Sequence, residues 1–167
     1  MEALYIVLVE SGMRRAEALR LDWQDIHLDG RAAYLADTKN GHARSVPLTA
    51  VVVEALERLG AATGRVGKVF PIGVHAVVDS WQRARKVAGA EDLHIHDLRH
   101  EAISRLAESG VFQLHELQAI SGHRDLRCMT RYVHRGTDRT RAPELYKVAN
   151  YMKSQLCKMK GLPCLIT

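Results

Sequence analysis

Apolar residues recur along this chain in two rhythms. A helical one governs most of the sequence, and an alternating one is confined to residues 25–48. Residues 2–11 contain no breaker and read as a helix that Gly12 stops. A second helix is expected from about Met13 to Leu21. On it Arg14 and Glu17 stand three apart and share a face, beside an apolar side made by Ala18 and Leu21. The segments Asp25-Ile26-His27-Leu28, Ala32 to Ala36 and Arg44-Ser45-Val46-Pro47-Leu48 are short, alternating and separated by turn residues. They predict a three-stranded antiparallel sheet. Asp29-Gly30 and Asn40-Gly41 mark its hairpins, since both pairs tolerate positive φ, and Lys39 sits just before the second turn.

Helical spacing then resumes. Thr49 is a good N-cap for a helix over 50–59 that Gly60 ends, and the four glycines and one proline of 60–73 read as a loop. A helix from Val74 to Ala88 carries Arg83, Arg85 and Lys86 on its exposed part. After the loop Gly89 to Asp92, a helix over 97–108 has the apolar stripe Leu98, Ala102, Ile103 and Leu106, with Gly110 as its stop. A short helix over 113–120 leads into Ser121-Gly122-His123, and Asp125 can cap a further helix that carries Met129, Tyr132 and Val133. Pro143 suits the first turn of a last helix, over about 143–157. The expected class is α+β, mainly α-helical, in one domain with a small three-stranded antiparallel sheet near residues 25–48.

Composition narrows the classes of function. With 167 residues, 47% hydrophobic and 26% charged, the chain is long enough for a real core and reads as globular. A formal charge of +5 and a pI near 9.3 favour a polyanionic partner. The cluster Arg83, Arg85 and Lys86 is either a solvated face or one that tracks phosphates. Cys128, Cys157 and Cys164 are odd in number and form no CxxC pair, so they read as free thiols. No apolar run approaches the roughly 20 residues of a membrane span, and the expected location is the cytoplasm. His94, His96 and His100 could suggest zinc, but no cysteine lies near and Arg99 would set a cation against the metal. No metal and no cofactor are expected.

The candidate chemistry lies mostly between His96 and Tyr132. His96 and Arg99 stand three apart at a helix N-terminus, where backbone N–H groups and the helix dipole favour an anion. The pieces, in order, are Ser11-Gly12-Met13-Arg14-Arg15-Ala16-Glu17, then Thr38-Lys39-Asn40 followed by Arg44-Ser45-Val46-Pro47-Leu48, then His96-Asp97-Leu98-Arg99-His100, then Gly122-His123, and finally Arg131-Tyr132-Val133-His134. In this order and spacing the chain, to about His134, resembles the catalytic domain of tyrosine recombinases, the phage integrase group that includes the Xer recombinases and lambda integrase.

That resemblance implies a site-specific DNA recombinase that cleaves and rejoins strands through a 3′-phosphotyrosine, for integration or excision of a mobile element, without metal or ATP. It assigns Arg14, Lys39, His96, Arg99, His123 and Tyr132 as catalytic. The two arginines would grip the non-bridging phosphate oxygens with planar bonds, His123 would donate a third, and Tyr132 would attack phosphorus. His96, with the arginine field, would help the phenol lose its proton, and Lys39 would protonate the leaving 5′ oxygen. Glu17 would hold Arg14 and order the neighbouring histidine, and His100 would support the site. Tyr5, Tyr34, Tyr146 and Tyr151 are expected to pack instead. The implied partners are double-stranded DNA, other protomers in a tetrameric synapse, and DNA-bending accessory proteins. Family members carry an N-terminal clamping domain, and only 13 residues precede Arg14. The chain is therefore expected to be a single catalytic domain with a truncated start, and its tail helix to dock either on its own domain or on a neighbour. The alternative is a non-catalytic DNA-binding remnant.

Overall fold

The computed structural model describes residues 1–36 and 43–133. Its elements are α1 (Glu2–Ser11), α2 (Arg15–Ala18), β1 (Ile26–His27), β2 (Ala32–Leu35), β3 (Arg44–Pro47), α3 (Ala50–Thr63), α4 (Val74–Val87), α5 (Asp97–Glu108), α6 (Leu114–Ser121) and α7 (Arg127–Val133). The fold is mainly helical with one small antiparallel sheet in the order β1-β2-β3. Lys39, the Asn40-Gly41 turn, Tyr146, Tyr151, Cys157, Cys164 and the expected helix at 143–157 lie outside the described residues.

Helix α1 is the centre of the core. Leu4, Tyr5, Ile6, Val7, Leu8 and Val9 are consecutive and all buried, so it shows no polar face. It packs against α3 and α5, and Tyr5 Oη donates to Val77 O of α4 at 2.9 Å. Trp81 of α4 stacks on Tyr5 and donates from its indole to Leu93 O, which ties α4 to the loop before α5. Arg85 reaches the same loop, donating to Glu91 O at 2.5 Å and Leu93 O at 3.2 Å. A smaller apolar cluster of Ile103, Leu117, Met129 and Tyr132 joins α5, α6 and α7.

Three expectations need correction. The helix expected at Met13–Leu21 is only four residues long, because Gly12 ends α1 at φ 67 and Arg14 is extended as the next N-cap. Beyond it the chain is drawn out by pairing with the loop after α3, where Val69 N donates to Leu21 O and Trp23 N to Gly67 O. Gly60 does not stop α3. The helix runs to Thr63, and Gly64 at φ 79 takes the cap, since an interior glycine costs only about 1 kcal/mol. Tyr34 does not pack. Strand alternation turns Ala33 and Leu35 inward and leaves Tyr34 exposed. The first hairpin forms where expected, with Ile26 opposite Ala33, but the positive φ falls on Arg31, at 47°, and not on Asp29 or Gly30.

Candidate active site

Three arginines from three elements converge on the end of α6. Helix α6 finishes at Ser121 with Gly122 in the left-handed region at φ 67, which leaves its last carbonyls pointing outward at the negative end of the helix dipole. Arg44 Nε donates to Ile120 O at 3.0 Å, Arg99 to Ser121 O at 2.7 Å, and Arg14 to Gly122 O at 3.2 Å. Arg99 also donates to Gly12 O at 2.6 Å. The C-terminus of α1, the start of α5 and the turn that carries His123 are thereby fixed to one another.

Glu17 balances this charge. Its carboxylate accepts from Arg14 at 2.8 Å and from Arg44 at 2.8 and 3.1 Å, and it also takes the Arg14 backbone amide at 2.8 Å. Burial alone would raise its pKa. The hydrogen bonds from Arg44 and Arg14 outweigh that and hold the carboxyl below its ordinary value. A depressed carboxyl pKa contributes stability that is present above the unfolded value and lost as pH falls through the folded one. Glu17→Ala leaves two largely buried guanidiniums without their counter-charge, so a loss of about 3 kcal/mol is expected in urea unfolding at neutral pH. The gap to wild type should narrow as the pH drops below 4.5, the ordinary carboxyl value, where wild type loses the same charge. An equal gap at pH 7 and pH 3 would count against this account.

Arg99 is only 3% exposed. Burial, then the charge of Arg14, push its pKa down to about 10, which leaves it fully charged at neutral pH. His123 Nε2 lies 3.5 Å from Arg99, and its Nδ1 lies 2.8 Å from Ser121 Oγ. The Ser121 hydroxyl is within reach of Gln118 O at 3.2 Å, an arrangement satisfied when His123 Nδ1–H donates to Ser121 Oγ. Tyr132, on α7, is 6% exposed, and its hydroxyl lies 2.7 Å from His100 Nδ1. The ring of His123 is 6.5 Å from that of Tyr132.

His96 caps α5 and meets His100 edge-on, with ring centroids 4.8 Å apart. Much of His96 is exposed, yet partial burial and then Arg99 hold its imidazole below the ordinary value, so it is neutral at pH 7. The imidazole within hydrogen-bond distance of the phenol is that of His100, one helical turn along α5 from His96, the residue expected to help the phenol lose its proton. Glu17 holds Arg14 as expected, and its second partner is Arg44 where a histidine was expected. His94, His96 and His100 do not form a metal-ligand set, and no group of three or more His, Cys, Asp and Glu side chains gathers among the described residues. Arg83 and Lys86 are exposed on α4, away from this cluster in sequence, whereas Arg85 clasps the loop carbonyls already described.

Arg44 is the residue that sequence reasoning missed. Its signal is there in the alternation: Arg44 shares a strand face with buried Val46, and a charge on that face needs a buried partner. It also explains Gly122. A Cβ at that position would lie 2.7 Å from the Arg44 guanidinium, and the backbone there is left-handed. Gly122→Ala should therefore cost about 2 kcal/mol, from the αL penalty plus displacement of Arg44. A melting temperature equal to wild type would refute that.

The sequence matches the phage integrase family over residues 2–139. The chain belongs to this family. It is 40% identical over 134 residues to the shufflon-specific DNA recombinase of Escherichia coli, a match that covers 78% of this chain and 34% of that protein. Against the tyrosine recombinase XerC of Corynebacterium efficiens it is 31% identical over 147 residues, covering 82% of this chain and 47% of that one. The chain thus spans about a third to a half of the length of these curated relatives. Its fold is shared with the XerA recombinase, at a TM-score of 0.66 and 18% identity over 92% of this chain and 55% of that one. It is likewise similar to the Tn1549 transposon integrase in complex with a circular intermediate DNA, at a TM-score of 0.68 and 18% identity over 87% and 57%. No helix among the described residues is long and apolar enough to cross a membrane.

Proposed function

We propose that this family member is the catalytic part of a site-specific DNA recombinase that cuts and rejoins strands through a covalent 3′-phosphotyrosine on Tyr132. One observation carries the reading: the Tyr132 hydroxyl is held at 2.7 Å by His100, on the same short helix that brings Arg99 to His123. These contacts support a reading in which nucleophile, base and charge stabilisers act on one phosphate.

The chemistry then divides as follows. A phosphate enters beside Arg14 and Arg99, whose bonds to backbone carbonyls use only part of their five N–H groups each. Two planar guanidiniums stabilise the charge that grows on the non-bridging oxygens, joined by His123 when its Nε2 also carries a proton. The phenol passes its proton to the His100 side, with His96 supporting that imidazole from its edge. Tyr132 Oη bonds to phosphorus as the bond from phosphorus to the 5′ oxygen breaks. Lys39 gives that oxygen its proton. The phosphotyrosine keeps the energy of the broken bond, so rejoining by another 5′ hydroxyl needs no ATP.

Arg83 and Lys86 track the duplex backbone in this reading, and affinity for DNA falls steeply with salt. Other protomers, assembled as a tetrameric synapse, supply the second strand, and DNA-bending proteins assist. The relatives' names, a shufflon-specific DNA recombinase and the integrase of Salmonella phage P22, support a role in recombining or integrating DNA. The test offers the protein a nicked duplex from its own attachment region, so that the short strand diffuses away after cleavage. A denaturant-resistant adduct that maps by mass to the Tyr132 peptide is expected. Duplex binding with no adduct would overturn the reading in favour of a non-catalytic DNA-binding protein.

A further inference from the structure

We infer that Arg44 is a positioning residue of this site, which registers the His123 turn and cancels the charge of Glu17 so that Arg14 and Arg99 meet the phosphate at full strength. The inference rests on the reading that a phosphodiester binds at Arg14 and Arg99. Arg44 itself is buried, with its side chain only 9% exposed and its donors engaged by Glu17 and Ile120 O.

Two sets of contacts carry it. The first is geometric. Arg44 opens β3, opposite Leu35, and α6 packs on this strand. From there Arg44 Nε holds Ile120 O, while its guanidinium fills the space that only a glycine at 122 can leave. Arg44 therefore links the sheet to the turn that aims His123. The second is electrostatic. Glu17 lies at 2.8 Å from both Arg14 and Arg44. Three guanidiniums and one carboxylate leave two net positive charges, which suits a phosphodiester that acquires a second negative charge as it becomes five-coordinate. Without Arg44 the Glu17 carboxylate has Arg14 alone to neutralise. One of the two phosphate grips is then quenched, in a site shielded enough for the loss to be felt.

The test separates charge from shape with Arg44→Gln, Arg44→Lys and the double variant Arg44→Gln/Glu17→Gln. The last removes both partners and returns the net charge to that of wild type. The first readout is inorganic phosphate titrated against the imidazole NMR signals of His123 and His96, which requires no turnover. The second is the rate of adduct formation on the nicked duplex. Arg44→Gln should bind phosphate about tenfold more weakly and form adduct about a hundredfold more slowly. The double variant should recover phosphate affinity to within about threefold of wild type, which a merely structural role would not allow. Arg44→Lys should fall between, since it keeps the charge and loses the fork. If Arg44→Gln fails to fold, the double variant and Arg44→Lys still decide the matter by their phosphate affinities. A double variant as weak as Arg44→Gln, an Arg44→Gln equal to wild type, or no phosphate response in wild type overturns the inference. The expected phosphate pattern with no adduct in wild type refutes the strand-transfer reading alone and leaves the role of Arg44 standing.

Discussion

Tyr132→Phe is expected to abolish the covalent adduct while leaving the fold and duplex binding as they are. The structural reason is that the Tyr132 ring and its hydroxyl have separate partners. The ring belongs to the apolar cluster with Ile103, Leu117 and Met129, and phenylalanine fills the same space. Only the hydroxyl is lost, together with its bond to His100. That bond contributes on the order of 1 kcal/mol, so the melting temperature should move by a few degrees at most. Adduct formation has no such reserve, since the phenol oxygen is the atom that would bond to phosphorus. Gel-shift affinity and thermal unfolding of Tyr132→Phe, set beside its adduct yield, check the separation. An adduct that persists would move the nucleophile elsewhere. A variant that loses folding as well would mean that the hydroxyl is structural.

The sequence carries the fold where a residue's neighbours in the chain decide its role. The alternation over 26–47 was enough for the sheet and Asp29-Gly30 for the place of its first turn, though the left-handed residue is Arg31, and Asp125 caps α7 through Arg127 N as its position suggests. Boundaries set by distant partners were not legible. The shortness of α2 depends on a loop some 45 residues further on, and the run of α3 through Gly60 depends on which of two nearby glycines adopts the left-handed conformation. The same division holds at the site. Arg14, Glu17, Arg99, His100, His123 and Tyr132 stand in recognisable local motifs and converge. Their pairings do not follow from spacing: nothing in the chain order says that His100 rather than His96 meets Tyr132, since either could face α7 until the rotation of α5 is known. Arg44 was hidden for the opposite reason. Its neighbours spell a strand, and its importance comes only from Glu17, Ile120 and Gly122, which lie 27 to 78 positions away.

One consequence of that convergence is that stability and chemistry share the same guanidiniums. Arg14 and Arg99 each hold a carbonyl at the end of α6 with one part of the group, and in the proposed reading another part meets the phosphate. If DNA binds as proposed, the arginines are already in place and need no large rearrangement. Preorganisation has a cost in the isolated protein, since Arg99 is a buried cation near two others, as its depressed pKa reflects.

Arg99→Lys should separate charge from geometry most sharply. Lysine keeps the positive charge near the phosphate, and its stem can occupy much of the same channel. It cannot do what the fork does. Arg99 donates to Gly12 O and Ser121 O through two different nitrogens while facing His123 with one of them. A single ammonium must choose between those carbonyls and the phosphate, and it offers no plane of parallel donors to the non-bridging oxygens. The loss of one oriented donor set at a site of developing charge costs about 10²–10³-fold in rate, so adduct formation should fall by that factor. Duplex affinity should change by less than about tenfold, because the net charge is kept. Stability should fall by about 2 kcal/mol, because one buried carbonyl loses its donor. Single-turnover adduct rates at saturating protein, together with gel-shift affinities and urea midpoints, measure all three. A rate reduced only in proportion to affinity would mean that Arg99 acts as a simple charge, and that the fork built between Gly12 and Ser121 serves the fold alone.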